Sequence, residues 1–469
     1  MSSLMVIAPE ALVLTAAVAV LFADMLARGR DRAGAWIGAA GAALAAVVAL
    51  LVGQGAVGLF GSQLVVDGTA QFARVSTALL TAVFLVWLAG AGLERGSVRV
   101  FSSLVLFCAF GGMLMASARD WVVLLLSIET ATMPAYVLMG FDRAEGLSLE
   151  GAMKYFLLSM VASLLFLYGL SFVIGMSGSS LLADSRLMPG AGGLIVAVFV
   201  CAGLLAKLSA APFQFWSPDA YAGAPAAAVA YVSAVPKIAG VVAFAHVVQA
   251  LAPQAPSLWI VLVVMSLASM LVGNFAAYPQ QDMKRLMAYS GVGHAGYLLV
   301  GLGVGARVLA NGSLGAAGLG AAVLYSLAYA IPSMAVMFVV AGEGDRLAAL
   351  DGLARRRPWV AWVMVLLLLS LIGVPPLAGF AGKLYLFGAA VAGGLTWLAV
   401  VAVLMSVVSA GFYFRIVRAM FFAEPAEEAA RAQALSVPAA AMLVLCAVLV
   451  VAIGVATGPL LSAIGFVLK

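Results

Sequence analysis

The sequence predicts an all-α polytopic membrane protein with about fourteen transmembrane helices. Of its 469 residues, 65% are hydrophobic and only 9% are charged, whereas a soluble globular protein carries about 25% charged residues. A spanning helix needs about 20 predominantly apolar residues, so the apolar residues suffice for about fourteen spans with little chain left for loops. We therefore expect one membrane domain over residues 1–469, surrounded by lipid, without a nucleotide-binding or nucleic-acid-binding module.

Charged residues and Gly- or Pro-rich interruptions divide the chain into fourteen apolar segments. The predicted spans are 4–27, 34–54, 71–92, 98–117, 120–140, 149–175, 191–217, 224–249, 256–277, 284–304, 313–341, 358–392, 396–421 and 436–462. The first segment contains Glu10 and lacks a basic stretch before it, so we expect a mature span and not a cleaved signal peptide.

The basic residues predict the orientation of the spans, because Lys and Arg are retained on the cytoplasmic side of a membrane. Fifteen follow odd-numbered spans: Arg28, Arg30, Arg32, Arg95, Arg99, Arg143, Lys284, Arg285, Arg346, Arg355, Arg356, Arg357, Arg415, Arg418 and Arg431. Only four follow even-numbered spans: Arg119, Arg186, Arg307 and Lys469. Both termini are therefore predicted on the non-cytoplasmic, periplasmic side.

Prolines interrupt two of the long spans, the seventh at Pro212 and the twelfth at Pro375-Pro376. Proline removes a backbone donor and clashes with the preceding turn, so both spans are predicted to be discontinuous helices. In transporters, such breaks lie at corresponding positions of two repeats. Their separation of five spans predicts inverted five-helix repeats over 98–249 (helices 4–8) and 256–421 (helices 9–13). Two unrelated proline kinks are the alternative.

Four ionisable residues fall near the middle of predicted spans: Glu129, Lys207, Lys237 and Lys383. Each costs about 2.5–3.5 kcal/mol at a helix centre, so we expect them to face the interior of the bundle. A buried lysine can exchange a proton because burial disfavours its charged form. The four residues are therefore candidates for a proton path, and structural ion pairs such as Glu129 with Lys207 are the alternative.

Three further residues are weaker candidates. Lys154 lies about five residues into the sixth span and either joins the path or extends to the cytoplasmic face. His294 lies in the middle of the tenth span, where a histidine can relay protons or be a satisfied core residue. His246 is expected to be a boundary residue near the end of the eighth span.

No cofactor or metal site is predicted on this chain. The three cysteines, Cys108, Cys201 and Cys446, lie far apart inside apolar runs, without the close spacing of a zinc or iron–sulfur site. No glycine-rich phosphate-binding motif is present.

Several motifs together resemble one family, subunit N of proton-pumping NADH:quinone oxidoreductase (complex I), the counterpart of mitochondrial subunit 2. They are PE (9–10), EGAMKYF (150–156), KLSAAPFQFWSPDAYAGAP (207–225), VPKIAG (235–240), KRLMAYS (284–290) with His294 and Tyr297, and GVPPLAGFAGK (373–383). Two positions depart from the family pattern: Gln214 replaces a histidine, and Gly291 replaces the second serine of an AYSS motif.

The resemblance implies an antiporter-like subunit that carries a proton path, with proposed path residues at the positions of Glu129, Lys207, Lys237 and Lys383. NADH, FMN, iron–sulfur clusters and quinone would be bound by other subunits. It also implies a place in the inner (plasma) membrane of a bacterium, beside the antiporter-like subunit M and the small subunits J and K. The alternatives are a subunit of an Mrp-type cation/proton antiporter and a passive scaffold of the membrane arm.

Overall fold

A computed structural model describes residues 3–26, 32–52, 57–93, 95–312, 316–424 and 435–464. Its α-helices are α1 (Ser3–Val6), α2 (Ala8–Leu26), α3 (Ala33–Val52), α4 (Gly68–Ala91), α5 (Val98–Ser117), α6 (Trp121–Met139), α7 (Gly146–Ser177), α8 (Ala191–Leu208), α9 (Trp216–Gly223), α10 (Ala226–Val232), α11 (Val235–Leu251), α12 (Leu258–Ala277), α13 (Met283–Ala310), α14 (Ala316–Glu343), α15 (Leu353–Arg356), α16 (Pro358–Ile372), α17 (Ala378–Ala392), α18 (Thr396–Phe422), α19 (Val437–Val455) and α20 (Thr457–Ile464). Short 3₁₀ helices cover Leu182–Asp184 and Leu347–Leu350. Strands β1 (Val57–Leu59) and β2 (Leu64–Val66) form an antiparallel hairpin, the exception to the predicted all-α fold.

The described helices account for the fourteen predicted membrane spans. Twelve units are long and apolar enough to cross a membrane, with α10 and α11 counted as one. The shorter apolar stretch Ala8–Phe22 and the pair α16 and α17 supply the other two. Capping side chains fix several helix starts, because Asp67, Ser97, Asp120 and Asp282 accept hydrogen bonds from the first backbone N–H groups of α4, α5, α6 and α13.

The core of the molecule lies around α11 and α14, which are buried along their whole apolar length. Helices α4 and α13 are also mostly buried. By contrast, α7, α18 and α19 bury only about a third of their apolar windows, so they form the outer surface. Helix α13 packs between α12 and α14 and thus brings its polar residues to the centre.

Both predicted proline breaks are present, and they share a geometry. The residues that cap the C-terminal ends of α8 and α16 are Ser209 and Gly373, and each has the left-handed backbone conformation. Pro212 and Pro376 each follow three residues later. The predicted span 191–217 therefore ends as a helix at residue 208, and α9 is a separate short helix. The division into inverted repeats over 98–249 and 256–421 stays a prediction.

The predicted eighth span, 224–249, is present but interrupted, because α10 ends at Val232 and α11 begins at Val235. Pro236 has no N–H, so the Val232 carbonyl cannot receive its normal helical hydrogen bond. The N–H groups of Ala234 and Lys237 instead bond to carbonyls three residues earlier. The break places Lys237 in the first turn of α11.

Candidate functional site

Glu129 is a residue of α6 that contacts α7. It is half-buried, whereas we expected it to lie fully inside the bundle. Its Oε1 accepts a 2.5 Å hydrogen bond from Ser163 of α7, while its buried Oε2 has no partner among the described residues. The neighbouring Leu126 and Met133 are about 60% exposed, which shows that α6 lies at the edge of this chain. This edge position explains the partial burial of Glu129.

Lys207 lies in the last turn of α8 and is only 9% exposed. Its Nζ donates a 2.9 Å hydrogen bond to Thr132 Oγ1, one turn after Glu129 on α6. The two charged side chains form no direct ion pair in the structure, so it offers no support for the structural ion-pair alternative. Because the negative end of a helix dipole favours a cation, the α8 C-terminus also stabilises the ammonium group.

Lys237 is 3% exposed, and its Nζ has no hydrogen-bond acceptor in the described part of the chain. Nζ lies over the Tyr329 ring, 5.2 Å from its centroid, within the range of a cation–π interaction. The backbone of Gly291 lies close to this ammonium group. A Cβ atom at Gly291 would lie 3.2 Å from Lys237 Nζ and 3.0 Å from the Tyr329 hydroxyl.

His294 lies between Lys237 and Lys383, surrounded by tyrosines. Its Nδ1 is 2.6 Å from the Tyr325 hydroxyl, and its Nε2 is 3.2 Å from the Tyr413 hydroxyl. The imidazole centroid is 4.7 Å from the Tyr329 ring, which borders Lys237. It is 5.8 Å from the Tyr297 ring.

Lys383 completes the row on the far side of Tyr297, whose ring centroid lies 4.7 Å from Nζ. Its Nζ donates to the carbonyl oxygens of Leu371 (3.1 Å) and Ile372 (2.8 Å) and to Ser406 Oγ (2.7 Å). These carbonyls belong to the broken end of α16, so the proline break supplies the acceptors that hold this cation. All three ammonium donors are therefore satisfied.

Lys154 lies apart from this row, with 43% of its side chain exposed. It forms ion pairs with Glu150 (2.7 Å) and Asp219 (2.8 Å), and Asp219 also pairs with Arg285 (3.0 Å). This network ties α7, α9 and α13 together at one end of the molecule. The contacts favour the structural alternative for Lys154.

Sequence reasoning missed the tyrosines and hydroxyl residues that connect the charged side chains: Tyr297, Tyr325, Tyr329, Tyr413, Thr132, Ser163 and Ser406. In an apolar run, a tyrosine is indistinguishable from a core aromatic residue. One signal was available, because Tyr325 and Tyr329 are four residues apart and must share a helix face. Their buried hydroxyls require polar partners, which His294 and Ser333 provide.

The row can pass protons because each member can both take up and give up hydrogen. Imidazole and hydroxyl groups act as donors and acceptors, and a lysine can alternate between its ammonium and amine forms. The hydrogen bonds of His294 and Lys383 go to other groups, and the contacts between them and Lys237 are through ring faces. We therefore expect water to complete the connection between the lysines and His294.

Comparisons with known proteins agree with this geometry. The transmembrane family of NADH:quinone oxidoreductase and Mrp antiporter subunits matches residues 118–409. NADH-quinone oxidoreductase subunit N from Rhodospirillum rubrum is 38% identical over 409 residues, covering 82% of each chain. A chain of respiratory complex I from Thermus thermophilus with bound aureothin is 30% identical, with a TM-score of 0.80, and covers 97% of this chain and 99% of its own.

The Mrp complex from Dietzia contains a similar chain with a TM-score of 0.81 and 23% identity, covering 99% of this chain and 96% of its own. That likeness extends to the fold alone. The curated relatives at 35–38% identity carry the name of a single subunit. This chain therefore belongs to the family of NADH-quinone oxidoreductase subunit N.

Proposed function

We propose that this chain conducts protons in a proton-pumping NADH:quinone oxidoreductase through Glu129, Lys207, Lys237, His294 and Lys383. One observation carries the proposal: the row from Lys237 through Tyr329, His294 and Tyr297 to Lys383 has successive separations of 5.2, 4.7, 5.8 and 4.7 Å. Titratable groups inside membrane-spanning helices cost free energy, and such groups usually have a function.

The proposed path has two kinds of connection. Between Glu129 and Lys207, the hydroxyl groups of Ser163 and Thr132 each contact one charged group. Between Lys237 and Lys383, the aromatic side chains around His294 form the connection. Lys154 is left out of the path because its ammonium group is paired with two carboxylates.

The proposal also assigns the chain a place in the complex. NADH, FMN, iron–sulfur clusters and quinone would be bound by other subunits, so this chain would do no redox chemistry itself. Subunits M, J and K would be its neighbours in the inner membrane of a bacterium, and both termini would face the periplasm. These assignments rest on membership of the subunit N family and on the distribution of basic residues.

Replacement of Lys237 by Met tests the proposal, because Met keeps the side-chain length and removes the titratable group. In assembled complex reconstituted in proteoliposomes, we expect NADH-driven proton pumping to fall by about tenfold or more, since a positioned proton-transfer group typically contributes roughly 100-fold. Native gels would check that the variant complex assembles.

The matched control is Leu384→Met on α17, an exposed position next to Lys383. It introduces the same side chain outside the row, and we expect normal pumping. Normal pumping by assembled Lys237→Met complex would instead favour the passive scaffold. Co-purification of this chain without flavin-bearing and iron–sulfur-bearing subunits would favour the Mrp-type alternative.

A further inference from the structure

A second cluster of ionisable side chains lies at the other end of α11. His246 is 4% exposed and contacts Arg119, which connects α5 and α6, and Thr69 in the first turn of α4. Arg119 Nη1 is 2.7 Å from Nδ1, and Thr69 Oγ1 is 3.0 Å from Nε2. Asp67 completes the cluster through a 2.5 Å bond from Arg119 Nη2 and a 2.7 Å bond from Thr69 Oγ1.

The contacts determine the protonation state of His246. Arg119 lies near both ring nitrogens, with Nη1 2.7 Å from Nδ1 and Nη2 2.8 Å from Nε2, and a guanidinium group only donates hydrogen bonds, so the ring is neutral. Because Nη2 donates to Asp67, we assign the Arg119 hydrogen bond to Nδ1 and the ring hydrogen to Nε2. Thr69 gives its hydroxyl hydrogen to Asp67, so it accepts from the Nε2–H group. A continuous hydrogen-bonded chain therefore runs from His246 through Thr69 to Asp67, whose side chain is 37% exposed.

We propose that His246, Thr69 and Asp67 form a proton-release relay, and that Arg119 is its lock. While Arg119 occupies Nδ1, the imidazole cannot take up a proton. When Arg119 moves away, a proton binds Nδ1, the Nε2 proton passes to Thr69 Oγ1, and the Thr69 proton passes to Asp67. Asp67 then releases that proton to bulk water, so one proton enters and one leaves. This inference rests on the proposed proton-conducting function.

After one transfer, Nδ1 carries the hydrogen and Nε2 has the free lone pair. For a second turn, water accepts the Nδ1 hydrogen and donates one to Nε2, so the Nε2–H tautomer returns without a net gain or loss of protons. Arg119 Nη1 then returns to Nδ1, from which it is 2.7 Å away in the structure, and locks the relay again. Burial lowers the pKa of Arg119, and Asp67 partly offsets that effect. Because burial removes the Arg119 guanidinium group from solvent, water that reaches the cluster would favour a different position of this group.

Two other carboxylates in the described part of this end already accept hydrogen bonds from other groups. Asp120 accepts hydrogen bonds from the first N–H groups of α6 and from Ser180. Asp184 accepts from Ser179. Neither carboxylate forms a hydrogen bond or ion pair with His246, so Asp67 is the carboxylate that receives its proton.

Buried hydroxyl groups mark a route from the row of lysines to this relay. Lys237 and His246 are nine residues apart on α11, which corresponds to about 13 Å. Along α4, Thr81 Oγ1 contacts the Tyr231 hydroxyl at 3.1 Å, and the buried Thr77 Oγ1 has no partner among the described residues. Buried water commonly satisfies such a group, and water beside Thr77 would extend the route toward Thr69.

Thr69→Val tests the relay, because valine keeps the side-chain shape and removes the hydroxyl. In assembled complex, we expect proton pumping to fall by about tenfold, while Thr69→Ser retains it. Asp67→Asn keeps the helix cap of α4 but removes the proton acceptor, and we expect formate added at the outer face to restore its pumping. The matched control is Thr15→Val, whose hydroxyl is exposed and bonds only within α2.

A purely structural cluster predicts different results. Normal pumping by Thr69→Val, or pumping lost in Asp67→Asn without formate rescue, would overturn the relay. Lys237→Met complex is measured in the same preparation. Loss of pumping in that variant beside normal pumping in Thr69→Val would disprove the relay alone, whereas normal pumping in Lys237→Met would disprove the proposed function.

Discussion

The three buried lysines have different hydrogen-bond environments. Lys383 has three acceptors within 3.1 Å, Lys207 has one at 2.9 Å, and Lys237 has only the face of Tyr329. A hydrogen bond to a charged group contributes about 1.5–3 kcal/mol, so the ammonium group of Lys383 is held in place most firmly and that of Lys237 least firmly. We infer that the Lys237 side chain changes its position most readily.

Gly291 lets the α13 backbone approach Lys237 closely, and the need for this approach can be tested. We expect Gly291→Ala to reduce proton pumping, because its Cβ would lie 3.2 Å from Lys237 Nζ, closer than ordinary contact, and would displace the ammonium group. Gly291→Ser should retain more activity, since its hydroxyl can form a hydrogen bond with the displaced ammonium group. Pumping rates of both variants in assembled complex provide the measurement.

Helix stability cannot explain the expected loss in Gly291→Ala, because alanine stabilises a helix interior by about 1 kcal/mol relative to glycine. Gly388→Ala on α17 is the matched control. Its new Cβ would lie within 4 Å of no atom in the described part of the chain outside its own helix. Equal pumping by Gly291→Ala and Gly388→Ala would show that the close approach of Gly291 to Lys237 has no role.

At the scale of elements, helix ends and breaks position the buried lysines. Lys207 lies at the end of α8, Lys237 at the start of α11, and Lys383 opposite the end of α16. An interrupted helix leaves carbonyl groups without helical partners, and in lipid these groups need protein or water. The break after α16 therefore supplies acceptors for Lys383, and the other unpaired carbonyl groups at the breaks give a reason for water to be present.

The break between α16 and α17 gives a prediction at this scale. Gly373 has φ = +96°, and a Cβ there would lie 3.0 Å from Lys383 Cδ. Gly373→Ala should strain the backbone by about 1 kcal/mol or more and push Lys383 away from its acceptors. We expect lower proton pumping and a lower temperature of inactivation for the assembled complex.

Ser209→Gly at the corresponding break is the comparison variant. Ser209 also has a left-handed backbone, with φ = +58°, which costs a non-glycine residue about 1–2 kcal/mol. Glycine should relieve this cost, so the variant should be as heat-resistant as the unmodified complex or more so. Equal heat resistance of Gly373→Ala and the unmodified complex would contradict the argument.

Apolar segment length and proline chemistry were sufficient to predict the spans and two of the three breaks. The break before Lys237 was missed because Pro236 follows a run that is otherwise typical of one helix. The partners of His246 were missed because Asp67 and Arg119 are more than 100 residues away in sequence. Long-range packing determines such contacts, and the pattern of apolar residues does not predict that packing.

At the scale of the whole molecule, charge divides the chain into two ends. Ion pairs and basic side chains concentrate where odd-numbered spans end, including Lys154 with Asp219 and Lys284 with Asp345. Arg119 and Arg307 lie at the opposite end. The excess of basic residues, fifteen against four in the sequence, predicts that the first end faces the cytoplasm.

Single cysteines at the two ends test this orientation. Asn311 follows the tenth predicted span and Arg355 follows the eleventh, and both are exposed. In intact spheroplasts, a membrane-impermeant maleimide should label Asn311→Cys and leave Arg355→Cys unlabelled until the membrane is opened. The native Cys108, Cys201 and Cys446 are buried, so background labelling should be low.

Because an even number of spans precedes Asn311, its labelling would also place the N-terminus outside. Labelling of Arg355→Cys alone would reverse the orientation and turn the proposed release relay into one for proton uptake.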